Sequence, residues 1–257
     1  MQSAAELHPQ KFEVRLAQTP NDIRAAQALR YKVFVEELGG DGPLVDHNLK
    51  LEIDSFDPHC DHLCLWDISK NKIVGVYRLM SADGAAKTGQ FYSENEFDLS
   101  PLRASGRKLL ELGRSCLHPE YRGGAAMFHL WAALSDYIDQ HKIEILFGVA
   151  SFHGTDTKKL AHSLSKLHCD HLAPLELRPH VWPKHNLQMD IIAPTEIDRK
   201  CAMIETPQLI KAYLRLGGVV GQGAYIDHAF NTIDVCLVLD VAKLTPRQRQ
   251  IYSRNKG

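Results

Sequence analysis

Long apolar runs are missing from this 257-residue chain, and none approaches the roughly 20 residues of a membrane-spanning helix. An excess of either charge is missing too. Thirty Lys and Arg face 31 Asp and Glu, for a net charge of -1, so no global field favours nucleic acid. Cysteine is sparse: six residues with no regular spacing exclude a disulfide framework and fit reduced thiols in a cytoplasm. Met1 to Gln10 has no apolar core, so no secretory signal is expected there. Internal repeats and low-complexity runs are absent. What remains is a chain with 44% hydrophobic and 24% charged residues, as in ordinary globular proteins. Its length suits one large domain over 1–257. A Pro-rich excursion about 174–194 and a polar, basic tail about 245–257 complete it.

One cluster invites a metal reading: His59, Cys60, His62 and Cys64. No second Cys or His pair follows at zinc-site spacing, and HLCLWDI alternates like a strand, so no metal is expected.

The order of elements follows from pattern. Phe12, Val14 and Leu16 alternate with polar neighbours and mark a first strand. Thr19-Pro20-Asn21-Asp22 starts a helix that runs to about Leu38, with apolar residues at helical spacing. Asp46 to Asp57 is acidic and irregular. His62–Ile68 and Lys72–Met80 form a hairpin, Ala82–Gly89 a loop, and Phe91–Phe97 a short helix. After a strand at Leu109–Leu117, a helix runs from about Ala125 to Gln140 and a strand over Glu144–Ala150. Helices at Asp156–Leu167 and Pro207–Leu216 precede closing strands at Val219–Ile226 and Ile233–Leu239.

Leu109 to Phe128, LLELGRSCLHPEYRGGAAMF, organises the rest. Glu111 and Arg114 are charges inside an apolar strand, where burial is costly unless they are paired or functional. Strict alternation puts them on opposite faces. A bulge beside Gly113 brings both to one site and frees backbone N–H groups. Arg122-Gly123-Gly124 then opens a helix whose N-terminal N–H groups suit a phosphate. Cys116 reads as a small buried hydrophobe rather than a nucleophile.

This strand–turn–helix resembles the central motif of the GNAT acyltransferases, where a splayed fourth strand holds a thioester and the turn (Q/R)-x-x-G-x-(G/A) cradles coenzyme A. Arg122 matches the first position. Ala125 stands where the motif has its first Gly and Met127 where it has Gly or Ala, so the cradle is reduced. The resemblance implies an α/β (α+β) GNAT-like fold, a mixed, splayed β-sheet flanked by helices on both sides.

A narrower resemblance covers Phe12 to Leu239. Arg30 and Phe34 in LRYKVFVEEL, Glu52, Asp54, Phe56 and Asp57 in LEIDSFD, Arg78 in IVGVYRLM, and Glu111 with Arg114 look like the charged set of the acyl-homoserine-lactone synthases. The Trp of those enzymes is replaced here by Leu38-Gly39-Gly40. With ASFHGTD, YLRLGG and IDHAFNTIDVCLVLD, the pattern is more similar to the L-ornithine Nα-acyltransferases of bacterial ornithine-lipid synthesis.

That resemblance implies transfer of a fatty, 3-hydroxy acyl group from acyl carrier protein to the α-amine of L-ornithine, giving lyso-ornithine lipid. No cofactor is expected beyond the carrier's phosphopantetheine thioester. An ammonium must lose a proton before it attacks. Glu111 is the expected base, with Asp54 beside it in the catalytic set, and N–H groups around Cys116 and Leu117 serve the oxyanion. Arg30, Phe34, Asp57, Arg78 and Arg114 form the substrate site. Arg78 or Arg114 grips the carboxylate, and Asp54 or Asp57 the second ammonium. Arg122, Gly123 and Gly124 take the pantetheine phosphate. The competing reading of these charges is structural ion pairing, such as Arg30–Asp54 or Arg114–Glu111.

Acyl carrier protein is acidic, and Arg103, Arg107, Lys108, Arg122 and Lys158-Lys159 offer it a basic surface. The tail (Arg247, Arg249, Arg254, Lys256) either seats on the inner face of the cytoplasmic membrane or is a frayed end. The alternatives to this function are an acyl-homoserine-lactone synthase and a non-catalytic acyl-carrier or lipid-binding module.

Overall fold

Eight strands build one sheet in the computed structural model, which describes residues 11–185 and 187–253. The readings at Met1–Gln10, Arg254 and Lys256 lie outside these residues. In chain order the strands are β1 (Phe12–Leu16), β2 (Asp61–Asp67), β3 (Lys72–Ser81), β4 (Leu109–Leu117), β5 (Ile145–His153), β6 (Val219–Val220), β7 (Tyr225–Asp227) and β8 (Thr232–Asp240). The helices are α1 (Pro20–Arg30), α2 (Ala82–Thr88), α3 (Ser100–Ala104), α4 (Ala126–His141), α5 (Ala161–His171), α6 (Arg199–Glu205), α7 (Gln208–Arg215) and α8 (Pro246–Ser253). The sheet runs β1-β2-β3-β4-β5-β8-β6, with β7 paired to β8. All pairs are antiparallel except β4–β5. The mixed sheet and the helices on both of its faces are those of the GNAT fold.

Binary pattern explains the layers. Leu110, Leu112 and Leu117 of β4 face a core with Leu130 and Leu134 of α4, Leu164 of α5 and Ile210 of α7. Cys116 turns the other way, toward Ala26 and Leu29 of α1, and Leu109 packs with Phe91, Phe97 and Leu102.

The parallel pair is short. It holds only at Leu109–Ile145, Leu110–Leu146 and Glu111–Phe147, after which β4 and β5 part. Gly148 marks the fork: a Cβ there would lie 2.1 Å from the Leu112 carbonyl oxygen, so only glycine permits this approach.

The expected bulge is present. Val76 pairs with Cys116 and Arg78 with Gly113, so Arg114 and Ser115 together face Tyr77. Arg114 takes the left-handed conformation (φ 50°). The extra residue resets the alternation.

Thr19 and Asp22 form a capping box at the start of α1. The helix does not end at Arg30. It widens into π-helical turns over Tyr31–Glu37, where Leu38 N–H bonds back to Val33 O at 3.2 Å.

Some expectations change. Ala82–Gly89 is a helix rather than a loop, because Ser81 caps it and Gly89 closes it in the left-handed region (φ 83°). The fifth helix begins at Ala161 rather than Asp156, whose carboxylate instead holds the N–H groups of Lys158 and Lys159 in a turn. Helix α6 was not expected, although Asp198 caps it by accepting from Lys200 N and Cys201 N. The Pro-rich excursion consists of short 3₁₀ turns around a two-residue strand, His180–Val181, paired with Phe97–Asp98.

Candidate active site

Where β4 and β5 part, a cavity of about 270 Å³ passes through the sheet. On the α1 side it is walled by Arg78, Glu111, Arg114, Tyr92, Asp227 and Asp234. On the α4 side its wall is mostly apolar, with Leu112, Leu146, Leu209, Leu237 and Leu239 beside Tyr77 and Tyr213. Charged at one end and apolar at the other, it suits an amphiphile threaded through the fork.

The charged end begins with a buried network. Arg30 is 0% exposed. It donates from Nε to Glu52, and from Nη1 (2.8 Å) and Nη2 (3.0 Å) to Asp57. Arg78 donates from Nη1 to Asp57 at 3.1 Å and lies at the same distance from Asp54. Arg114 donates to Glu52 at 3.1 Å and to Asp54 at 2.9 Å. Three guanidinium groups thus meet three carboxylates. The structural pairing differs from that read in the sequence: Arg30 takes Glu52 and Asp57 rather than Asp54, and Arg114 takes Glu52 and Asp54 rather than Glu111. The reason is the bulge, which swings Arg114 over the segment carrying both acids.

Electrostatics follow from this pairing. Burial alone would raise the Asp57 carboxyl, but the charge and hydrogen bonds of Arg30, with Arg78, hold it far below the usual range. Asp54 is also lowered, because Arg78, Arg114 and the Phe56 amide outweigh its burial. Neither carboxylate lines the cavity. Their place is to hold arginines.

Glu111 stands apart from the network. It is 3% exposed, and its carboxylate accepts from Tyr92 N (2.8 Å), Ser93 N (2.6 Å) and Ser93 Oγ (2.5 Å). Burial raises its pKa, and these donors oppose the rise only in part. The group is therefore a stronger base than an exposed glutamate. Tyr92 also presents its ring to both cavity arginines, 5.2 Å from Arg78 and 4.6 Å from Arg114. Phe34 reaches the cavity from the π-helical turn.

The cavity's β4 wall ends at Ser115, short of Cys116 and Leu117, and the backbone beyond it turns donors to alternate sides. His118 N–H bonds to Val74 O at 2.9 Å. By the alternation of an antiparallel ladder, Cys116 then turns its N–H to β3, while Leu117 and Ser115 turn theirs toward the gap. Leu117 points the same way with its carbonyl, which accepts from Arg122 at 3.2 Å. The Cys116 thiol is pushed up to about 12 by burial, against nucleophilic use.

Beyond β4, Gly123 takes a left-handed turn (φ 76°), and neither it nor Gly124 has a neighbour where a Cβ would sit. The start of α4 has no side-chain cap. Arg122 is half-exposed and holds Glu37 at 2.5 and 2.7 Å. Other members of the basic surface are engaged as well: Arg103 with Glu94 and Arg107 with Asp240.

The four residues of the suspected metal cluster do not converge. The grouping of ligand-type atoms among the described residues is instead Glu96, Asp227 and Asp234. Sequence reasoning missed these three. The signal was available in Asp234, an acid within the apolar strand TIDVCLVLD.

Residues 29–132 match the acetyltransferase (GNAT) domain family. Over 251 residues the chain is 55% identical to the L-ornithine Nα-acyltransferase of Rhodobacter capsulatus, covering 96% of each protein. It is 40% identical to the protein of the same name from Rhizobium meliloti, over 96% of this chain and 86% of that protein. The chain belongs to the L-ornithine Nα-acyltransferase family. Solved structures of the same fold are more distant. FeeM, an N-acyl amino acid synthase from uncultured soil microbes, superposes with a TM-score of 0.51 at 13% identity, covering 92% of this chain and 95% of that one. The CoA-dependent acyl-homoserine lactone synthase BjaI, solved with SAM and isopentyl-CoA, gives 0.51 at 14% identity, covering 91% and 82%. In this acyltransferase Glu111 and Arg114 lie on β4, Arg78 on β3, Arg30 at the end of α1, and Glu52, Asp54 and Asp57 on the segment between α1 and β2.

Proposed function

We propose that this chain moves a fatty acyl group, 3-hydroxylated near the carbonyl, from the thioester of acyl carrier protein to the α-amine of L-ornithine, giving lyso-ornithine lipid. The observation that carries the reading is the cavity through the fork, charged at one end and apolar at the other. Its family membership supplies the acceptor.

The acyl chain lies in the apolar end. Three hydroxyls stand there, Tyr77 and Tyr213 at 2.7 Å from each other and Ser115 on the same wall, and they give a hydroxyl on the chain polar partners. The thioester carbonyl rests at the gap, where the Leu117 N–H stabilises the oxyanion. Arg114 and Arg78, already lining the cavity, grip the ornithine carboxylate. Glu111 takes a proton from the α-ammonium, directly or through a water, and the free amine attacks the carbonyl carbon. The tetrahedral intermediate collapses with cleavage of the carbon–sulfur bond. The amine's remaining extra proton leaves as the amide forms, and the thiolate regains a proton on the carrier's phosphopantetheine.

For the donor, Arg122 and the uncapped start of α4 meet the single phosphodiester of phosphopantetheine, Arg122 exchanging Glu37 for phosphate. Gly123 and Gly124 leave room beside it. No described helix is long and apolar enough to cross a membrane. The lipid product fits transient contact with the cytoplasmic membrane from the inner side.

The test is to supply 3-hydroxyacyl carrier protein with ornithine and record thiol release and product mass. Release that depends on ornithine supports the reading, and release without an amine acceptor contradicts it.

A further inference from the structure

Ornithine's terminal ammonium needs a negative partner, and the carboxylates first expected to supply it are occupied. Glu52, Asp54 and Asp57 each meet two of Arg30, Arg78 and Arg114, and none of the three lines the cavity. Two acids of the cavity wall, with a third buried beside them, offer another set. Asp227 ends β7, Asp234 lies on β8, and Glu96 follows the 3₁₀ turn that carries Tyr92 and Ser93. Their ligand-type oxygens all lie within 4.8 Å of one another. Asp227 and Asp234 line the cavity that holds Glu111 and Arg114.

A second observation points to a missing partner. Glu96 and Asp234 are each 4% exposed. Glu96 Oε2 and Asp234 Oδ1 are buried and have no hydrogen-bond donor among the described residues. No cation of the described residues forms an ion pair with any of the three acids. Buried carboxylate oxygens without donors are costly, so such a site is shaped for a ligand that brings donors. Burial and the neighbouring charges of Asp234 and Asp227 push the Glu96 carboxyl well above its ordinary value. Burial likewise pushes Asp234 up to about 6, although Ser151 opposes it.

The ligand chemistry follows from the count of donors. A primary ammonium carries three N–H groups, one for each carboxylate. A calcium ion takes six to eight oxygens, and Asp227 Oδ1 is already held by Ala229 N and Phe230 N at 2.8 and 3.0 Å.

We infer that Glu96, Asp227 and Asp234 form the pocket for the acceptor's terminal ammonium, and that they select a diamino acid over a neutral one. The inference rests on the acceptor reading above. Glu111 and Arg114 work at the α-carbon, and the three acids anchor the far end of the side chain. They are specificity residues, distinct from the reacting groups.

Norvaline, which keeps ornithine's three-carbon side chain but lacks the terminal amine, is the probe. In wild type, kcat/KM for ornithine is expected to exceed that for norvaline by at least about 100-fold. In Asp234→Asn and Glu96→Gln the ratio is expected to fall at least about tenfold, through a higher ornithine KM and unchanged norvaline kinetics. An unchanged ratio in folded variants would overturn the inference. So would an equal loss for both acceptors, which is the mark of a structural role. Activity that follows added Ca²⁺ or EDTA with the ratio unmoved would assign the acids to a metal ion and also overturn it. Asp227→Asn, at a less buried position, is the second variant should the others not fold. A wild-type ratio near unity overturns the inference without any variant. If wild type acylates neither amino acid, the acceptor reading itself has failed. If it acylates ornithine and the ratio is insensitive to the acids, only this inference has.

Discussion

The backbone of Gly148 lies against the carbonyl of Leu112, with space for a hydrogen and none for a methyl, whose carbon would sit 2.1 Å from that oxygen. This contact is the hinge of the fork. Below it, β4 and β5 are paired, and above it the cavity opens.

Gly148→Ala is therefore expected to push the strands apart where they still pair. The cost is about 1–3 kcal/mol, the range for overpacking a tight site. Acyl transfer should fall with it. Urea unfolding and steady-state kinetics on the same preparation check both effects. An alanine variant of wild-type stability would show that the strands yield freely here.

Glu111→Gln is expected to lower kcat by roughly 10²–10⁴-fold, the usual contribution of a positioned base. The amide keeps an acceptor oxygen for Ser93, so a melting curve separates chemistry from folding. The wild-type rate should rise with pH through the raised Glu111 pKa, because only the ionised form accepts a proton. The Gln variant should lose that limb. Near wild-type turnover in a folded variant would remove Glu111 from the mechanism.

Asp57 is expected to act on stability more than on any one substrate. Asp57→Asn leaves buried Arg30 and Arg78 short of a charge, and removing one member of a buried pair costs about 3–5 kcal/mol. The pH dependence has a definite sign. The folded pKa lies below the ordinary 3.8, so Asp57 stabilises the fold fully above about pH 4–5. That contribution is lost as pH falls toward the folded value. Between about pH 5 and 3 the wild type should lose more stability than the variant, as measured by urea unfolding.

The donor is tested by kcat/KM. With Ala125 replacing the first Gly of a coenzyme A cradle and Met127 its Gly or Ala, the carrier-protein thioester should be preferred by at least about tenfold, or roughly 1.4 kcal/mol. Arg122→Ala should weaken the carrier donor chiefly in KM. Equal use of acyl-CoA would contradict the assignment.

Most of this architecture was legible because binary pattern and chemistry agree along the chain. Alternation marked β1 and β2, the turn after β2 marked its hairpin with β3, apolar runs marked β4 and β5, and Thr19 with Asp22 marked the start of α1. A charge misplaced in an apolar strand marked Glu111 and Arg114, and Gly113 beside them marked the bulge. What was not legible depends on three dimensions. The pairing of Arg30 with Glu52 and Asp57 joins segments 22 and 27 residues apart, and no spacing rule sets which acid meets which arginine. Glu96, Asp227 and Asp234 converge from three segments, of which only Asp234 breaks an apolar pattern. Helix α2 escaped because ADGAAKT carries two turn-forming residues, while its cap, Ser81, lies in the preceding strand.

The most direct test supplies purified protein with 3-hydroxyacyl carrier protein and an equimolar mixture of ornithine, lysine, norvaline and S-adenosylmethionine, and weighs the products. The expected result is one main product, of mass ornithine plus the 3-hydroxy acid minus water, with the α-amine acylated and thiol released in equal amount. A main product from S-adenosylmethionine, or thiol release with no acylated amine, would contradict it.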